Sequence, residues 1–342
     1  MAREYSESAG SPSDSPESGE FRMHSLVLPG DAAGLRLDQA LARALPQYSR
    51  ARLQGWIEAG AVRVDGRQLR PKDKVLGGEQ IEVAVRLEAE TRVAPEAQPL
   101  AVVHQDRALF VINKPAGMVV HPGAGNPGRT LQNALLALDP KLALVPRAGL
   151  VHRLDKDTSG LLVVARTPEV HSRLVSALAE REIERTYLAI CNGAMTGGGT
   201  VDAPIGRHRT QRTRMAVRND GRESVTHYRI VKRYRAHTLA RVQLETGRTH
   251  QIRVHLAHIG YPIVGDPVYG GRRRVPAGCS PALIAALNAF PRQALHAARL
   301  ALAHPMTGRA LEWEAPLPDD MARLVSALDE DQRTAEARGG RA

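Results

Sequence analysis

The sequence predicts an α+β fold, a mixed and largely antiparallel sheet preceded by a small α/β module. Three observations predict it. Across residues 96–328 strand-like runs alternate with helical ones. Two of those runs, VTHYRIVKRY and TLARVQLET, are parted only by RAH, which suits an antiparallel hairpin and is too short for a parallel crossover. Upstream, residues 34–95 read as two helices, a hairpin, a closing strand and a polar linker.

Taken in order, residues 1–21 hold six serines, two prolines and almost no large aliphatic side chains. They cannot bury enough surface to offset ordering entropy, so a disordered acidic segment is expected over residues 1–28. LRLDQALARAL sets Leu35, Leu37, Ala40, Leu41, Ala44 and Leu45 near one helical face, and Pro46 ends the helix. In SRARLQGWIEAG, Ser49 is the expected N-cap, Leu53, Trp56 and Ile57 the apolar stripe, and Gly60 the stop. AVRVDGRQL alternates and turns at Asp65-Gly66, and EQIEVAV closes the module. Arg50, Arg52, Arg63, Arg67, Arg70, Lys72 and Lys74 make it cationic.

LEAETRVAPEAQ, residues 87–98, reads as a linker. The large domain follows, with expected strands LAVVHQD, ALFVINKP, GLLVVART, RTYLAICNG, VTHYRIVKRY, HTLARVQLE and RALEWEAP. TLQNALLALD and EVHSRLVSALAEREI are its expected helices, and residues 329–342 an expected flexible tail.

Composition narrows the chemistry. The 342 residues carry 47 Lys+Arg against 36 Asp+Glu, a net charge of +11. Five acids and one base lie in residues 1–21, so the remainder holds 46 bases and 31 acids, a net +15. Such a field attracts polyanions, nucleic acid above all. Cys191 and Cys279 are too few for a disulfide framework or a cysteine-based zinc site. No apolar run has the length of a membrane span, and the acidic N-terminus is unlike a signal peptide, so a soluble cytosolic protein is expected. There is no P-loop, Gly-rich dinucleotide loop or Cys/His ligand spacing.

HRLDKDTSGLLVVART, residues 152–167, holds two aspartates with rival claims. Asp157-Thr158-Ser159-Gly160 has the form of an aspartic-protease loop, but such a site needs a second aspartate, and no second Asp-Thr/Ser-Gly run exists. Asp155 and Asp157 could pair for glycoside hydrolysis, yet aromatics are only 4% of the chain, few for a sugar-stacking cleft. Chemistry on a nucleoside in RNA asks for other parts. The base must leave its stack, a cation can fill the gap, an arginine should pair with the buried acid, and an aromatic ring should meet the base. Arg153 beside Asp155, an arginine in ETGRTHQIRVHLAH and Tyr187 in RTYLAI are candidates for these roles.

NKPAGMVVHPG, GLVHRLDKDTSGLLVVART, RTYLAI, LETGRTHQIRVHLAHIGYPIVGDPVYGG and RQALHAARLALAHP resemble, in order, the signature blocks of the RluA family of RNA pseudouridine synthases. RLDQAL…SRARLQGWI resembles the S4 RNA-binding domain, whose helices present bases to phosphates. The resemblance implies a pseudouridine synthase domain over 96–328 that isomerises uridine without metal, nucleotide or redox cofactor. It implies Asp155 as the catalytic aspartate, Arg253 as its partner, Tyr187 as the site tyrosine, and Arg153 as the residue that replaces the flipped base. Its implied substrate is large-subunit (23S) rRNA at the helix 69 stem-loop; RNA is the expected partner, with no membrane or metal, and a monomer the expected state. A catalytically inactive RNA-binding or ribosome-assembly protein on the same fold is the rival reading, opposed by the intact Asp155, Tyr187 and Arg253. On this reading the turn at Asp157–Gly160 aims Asp155, His152 and His250 are satisfied buried histidines, and Lys114-Pro115 walls the cleft. Arg207, Arg209, Arg212, Arg214 and Arg218 form either a solvated loop or a phosphate track.

Overall fold

The computed structural model describes residues 20–87, 93–123, 125–211, 213–271 and 275–339. The expectations for residues 1–19 and 340–342, for the centre of the linker and for Arg212 lie outside the described residues. The chain separates into two compact units, Met1–Ala89 and Glu90–Ala342.

The first unit runs β1 (Glu20–Val27), α1 (Leu37–Ala44), α2 (Arg50–Glu58), β2 (Val62–Val64) and β3 (Gln80–Leu87), with sheet order β1-β3-β2. Both helices fall where the apolar spacing placed them, and Ser49 caps α2 by accepting the Arg52 amide at 3.3 Å. Leu37, Leu41, Leu53 and Ile57 of the helices are buried, as are Ile81 and Val83 of β3. Strand β1 corrects the expectation that disorder extends to residue 28. It pairs with β3 at every position from Glu20↔Leu87 to Val27↔Gln80. Backbone ladder bonds on an otherwise open edge order it, and composition does not register these. The turn at Asp65-Gly66 has φ of 47° and 75°, as a tight hairpin requires. Only Val64 and Arg67 pair across it, because the full partner of β2 is β3.

In the second unit follow β4 (Ala101–Gln105), β5 (Leu109–Lys114), α3 (Leu131–Leu138), β6 (Ser159–Ala165), α4 (Pro168–Ala179), β7 (Glu184–Asn192) and β8 (Gly199–Asp202). Then come β9 (Ile205–Arg207), β10 (Met215–Val217), β11 (Val225–Arg233), β12 (His237–Leu244), α5 (Gln251–His258), α6 (Pro281–Ala289), β13 (Leu295–Ala303), β14 (Ala310–Glu314) and α7 (Asp319–Gly339). The main sheet has the order β4-β5-β6-β13-β7-β12-β11-β8, with β14 on β13. Only β6 and β13 run parallel, so the sheet is mixed and largely antiparallel.

Its central strands are covered on both faces. Phe110, Ile112, Leu162 and Val164 share one core with Leu131 and Leu135 of α3 and Met321 and Leu324 of α7. The alternate residues Leu109, Val111, Leu161 and Val163 join Val170 and Leu174 of α4 on the other face. Helix α7 corrects the expectation of a flexible tail from residue 329. Met321, Leu324 and Leu328 sit on one buried face, and Asp331 prolongs it, accepting the Ser280 amide at 2.7 Å and pairing with Arg235 at 3.1 Å. The polar sequence past Glu330 gave no apolar period, because the anchor there is a buried ion pair.

Candidate active site

Asp155 lies in the loop entering β6, and the Asp157–Gly160 run behind it is bolted to β13 and the segment before it. The Thr158 amide donates to the Asp155 carbonyl at 3.1 Å, and the Thr158 hydroxyl accepts from Gln293 at 3.2 Å. Ser159 shares a hydrogen bond with His296 Nδ1 at 2.9 Å, and Arg292 donates to the Asp157 carbonyl at 3.0 Å. Gly160 has φ +115°, and a Cβ there would stand 2.3 Å from the Ala297 carbonyl oxygen, so this crossing needs glycine. The protease-like run is therefore a turn that presents Asp155. Asp155 lines a cleft of about 970 Å³, together with Arg153, Tyr187 and His250, whereas Asp157 does not.

Behind Asp155 stands Arg253, on the first turns of α5 and only 5% exposed. Its Nη1 donates to Asp155 Oδ2 at 2.9 Å. Its two-pronged edge is spent elsewhere: Nε and Nη2 donate to the two oxygens of Asp266 at 2.7 and 2.9 Å. The expected pairing of Arg253 with Asp155 is present, but through a single prong. The fork grips Asp266, and Asp155 receives the remaining prong. Asp266 also accepts the amides of Val268 and Tyr269, at 2.8 and 3.0 Å. Burial raises the Asp266 pKa, but the Arg253 bonds outweigh it and hold the carboxyl below the usual carboxylate range. Burial likewise disfavours the charged Arg253, yet Asp266 and then Asp155 lift its pKa above the ordinary arginine value.

His250 takes a left-handed conformation, φ 58°, just ahead of α5. Its Nε2 stands 3.9 Å from Asp155 Oδ2, and its Nδ1 lies 2.9 Å from the Tyr269 hydroxyl, which also accepts the Met215 amide at 2.8 Å. Burial lowers the His250 pKa although Asp155 pulls it up. His250 thus belongs to the site, beyond the satisfied core role expected of it. His152 accepts the Val163 amide at 3.1 Å while its Nδ1 has no partner among the described residues. Burial pushes the His152 pKa down to about 3, and the charge of Arg185 adds to this.

Tyr187, on β7 and 5% exposed, faces the cleft, and burial raises the pKa of its phenol. Arg153 is exposed at the cleft, with no hydrogen bond or ion pair among the described residues. Lys114 is fully buried and donates to the carbonyls of Pro115, Met118 and Lys156 at 2.8, 2.9 and 3.0 Å. Through Lys156 it ties the Asp155 loop to the end of β5. Burial pushes its ammonium down to about 7 against the pull of Asp157 and Asp155. Of the arginine run, Arg214 bonds Gln211 and the Val268 carbonyl and Arg218 bonds Asp220, and no described member lines the cleft. Sequence reasoning missed Asp266, Tyr269 and Arg185. The first two lie in the quoted GDPVYGG, but nothing in their spacing tells a buried acid from a turn residue. Among the described residues no three His, Cys, Asp or Glu side chains are grouped to hold a metal ion, and no helix is long and apolar enough to cross a membrane.

Residues 108–258 match the family described as RNA pseudouridylate synthase, and residues 35–81 match the S4 domain. The chain is 53% identical to a ribosomal large subunit pseudouridine synthase D of Xanthomonas campestris, over 94% of this chain and 97% of that one. It is 54% identical to the protein of the same name from Pseudomonas aeruginosa, over 89% and 95% of the two chains. Among solved structures, human RNA pseudouridylate synthase domain containing 4 superposes with a TM-score of 0.53 at 28% identity, over 67% of this chain and 93% of that one.

Proposed function

The chain belongs to the RluA family of RNA pseudouridylate synthases, and from that premise we propose that it converts uridine to pseudouridine in large-subunit ribosomal RNA, with Asp155 as the reacting carboxylate. The observation that carries the assignment is the unequal use of one guanidinium. Arg253 saturates the buried Asp266 and leaves Asp155 with a single bond, on Oδ2, facing the cleft. Asp155 Oδ1 has no hydrogen bond among the described residues, so a lone-pair face is open to a nucleoside. A carboxylate held by one strong contact and open on the other side suits covalent or base chemistry.

The isomerisation conserves atoms. The N1–C1′ bond breaks, uracil turns, C5 bonds to C1′, the C5 proton leaves and N1 takes one. No other reactant enters. The protein's part is to extract and orient the base. Arg153, exposed beside Asp155, takes the vacated place in the stack. Tyr187 meets the extruded uracil within the cleft. Arg253 aligns Asp155, and the bolted Asp157–Gly160 turn fixes its approach. We assign the target to the helix 69 stem-loop of 23S rRNA and the activity to the cytosol, with RNA as the only partner and a monomeric protein.

The test is incubation with a 23S rRNA transcript, followed by carbodiimide labelling and primer extension to map pseudouridine. Stops in helix 69 with the wild type, absent with Asp155→Asn, are expected. Stops elsewhere would move the target only, and none anywhere would overturn the proposal.

A further inference from the structure

Strand β7 places Arg185 and Tyr187 two residues apart, hence on one face, and both line the cleft. Arg185 is 9% exposed, its Nε is buried without a partner, and its guanidinium makes no hydrogen bond or ion pair with any described residue. Of the acids that line the cleft with it, Asp155 pairs with Arg253 rather than with Arg185, and the others, like its chain neighbour Glu184, are engaged elsewhere. Glu184 pairs with Arg299 at 2.8 Å, and Glu223 and Glu245 both pair with Arg181. His152, whose pKa Arg185 helps to lower, stays neutral and offers no counter-charge. A buried cation left without an anion is costly, and such a group is retained where a ligand supplies the missing charge.

The space above it is kept clear. Gly247 also lines the cleft, and a Cβ there would come within 3.0 Å of Arg185 Nη1. The backbone of Gly247 is in a region open to any residue, so its absent side chain serves room rather than conformation.

We propose that Arg185 is an anion receptor within the cleft, and that its ligand is a backbone phosphate of the bound RNA. The inference rests on the function proposed above and adds a contact to it. The planar guanidinium fork matches two phosphate oxygens, and the nucleic acid brings that charge with it. Arg185 is a positioning residue: it locks the strand in register so that the extruded uridine reaches Asp155, and it takes no part in bond exchange.

The test is a substitution cycle on full-length protein. A short ribosomal RNA fragment that the wild type binds is prepared with each phosphate near the candidate uridine replaced, one at a time, by a neutral methylphosphonate. Arg185→Met should weaken binding of the unmodified RNA about tenfold, as expected for one charge-assisted contact, and lower the slope of log affinity against log salt by roughly 0.7–0.9. One methylphosphonate position should cost the wild type that same factor and cost Arg185→Met nothing. Should the methionine variant fail to fold, Arg185→Lys and Gly247→Ala read the same cycle, the first keeping charge without the fork and the second pressing on Nη1. Equal losses in wild type and variants at every phosphate would overturn the proposal. Pseudouridine assayed on the same RNA separates the two readings: a wild type that binds but does not isomerise defeats the proposed function and leaves the phosphate contact standing.

Discussion

Replacing Asp266 by asparagine should impair catalysis without touching substrate. Asp266 accepts four bonds inside the protein, two from Arg253 and two from backbone amides, and its side chain is fully buried. An asparagine keeps one oxygen. Placed on the Oδ1 side, that oxygen can still accept from Val268, Tyr269 and Arg253 Nη2, but the new amide nitrogen then points its hydrogens at Arg253 Nε. A donor faces a donor across what is now 2.7 Å. Arg253 must swing or tilt, and the prong that reaches Asp155 at 2.9 Å swings with it.

Breaking a buried pair costs about 3–5 kcal/mol when one charge is left alone. Arg253 keeps Asp155, so the stability loss should fall at the low end of that range. The larger effect is on rate. A displacement of order 1 Å in a reacting group costs roughly a hundredfold. The expectation is kcat down by about two orders of magnitude, KM for RNA nearly unchanged, and a urea midpoint lowered but still cooperative. Single-turnover pseudouridine formation at saturating RNA measures it. A folded Asp266→Asn variant turning over near the wild-type rate would mean that Arg253 does not align Asp155 through Asp266.

Asp155→Asn should abolish pseudouridine formation with RNA affinity nearly intact, while Asp157→Asn retains substantial activity, since only Asp155 lines the cleft; equal loss in both folded variants would reverse the assignment. Arg253→Lys should lower kcat by roughly ten- to a hundredfold, because a point charge cannot hold two carboxylates as three directed prongs do. Burial pushes the His152 and His121 pKa values down to about 3 and about 4, from 6.5 in the unfolded chain. Between pH 6.5 and 4 the unfolded state therefore binds more protons, and stability falls with acid by up to about 1.4 kcal/mol per pH unit for each histidine. Urea melts from neutral pH down to pH 5 should show this decline, and a flat profile would contradict it. In the S4 domain Arg67, Lys72 and Lys74 are exposed. Changing each to glutamine should lower the salt slope of RNA binding by roughly 0.7–0.9, and an unchanged slope would remove them from the interface.

What the sequence made legible follows from what is locally encoded. The helices α1 and α2 carry full apolar faces and a serine cap, and β5 and β6 carry continuous apolar runs, so pattern alone places them. Strand β13, LHAARLALA, has the composition of a helix and sits in the middle of the main sheet. Its neighbours β6 and β7 decide its state, through pairings far apart in sequence. Strand β1 and the end of α7 were missed for a related reason: each is ordered by a distant partner, a strand edge in one case and Ser280 and Arg235 in the other. Asp155, Arg153, Tyr187 and Arg253 were nameable by resemblance, since they sit in recognisable blocks. Asp266 was equally well placed in one, yet its role exists only as geometry toward Arg253.

On the proposed assignment, that geometry lets one arginine serve two aspartates while only one is open to substrate. Charge does not distinguish them, since both face the same cation. The difference lies in what each can reach. Asp266 is held by four donors, is sealed from solvent and lies outside the cleft lining, so no substrate atom can approach its oxygens. Asp155 gives one oxygen to one donor, lies 17% exposed and turns the other to the cleft. The buried pair fixes the position of the guanidinium, and the guanidinium fixes Asp155 without consuming it. Removing Asp266 should thus misplace the reacting group, whereas removing Asp155 removes it, and the two losses differ in the residual rate that survives.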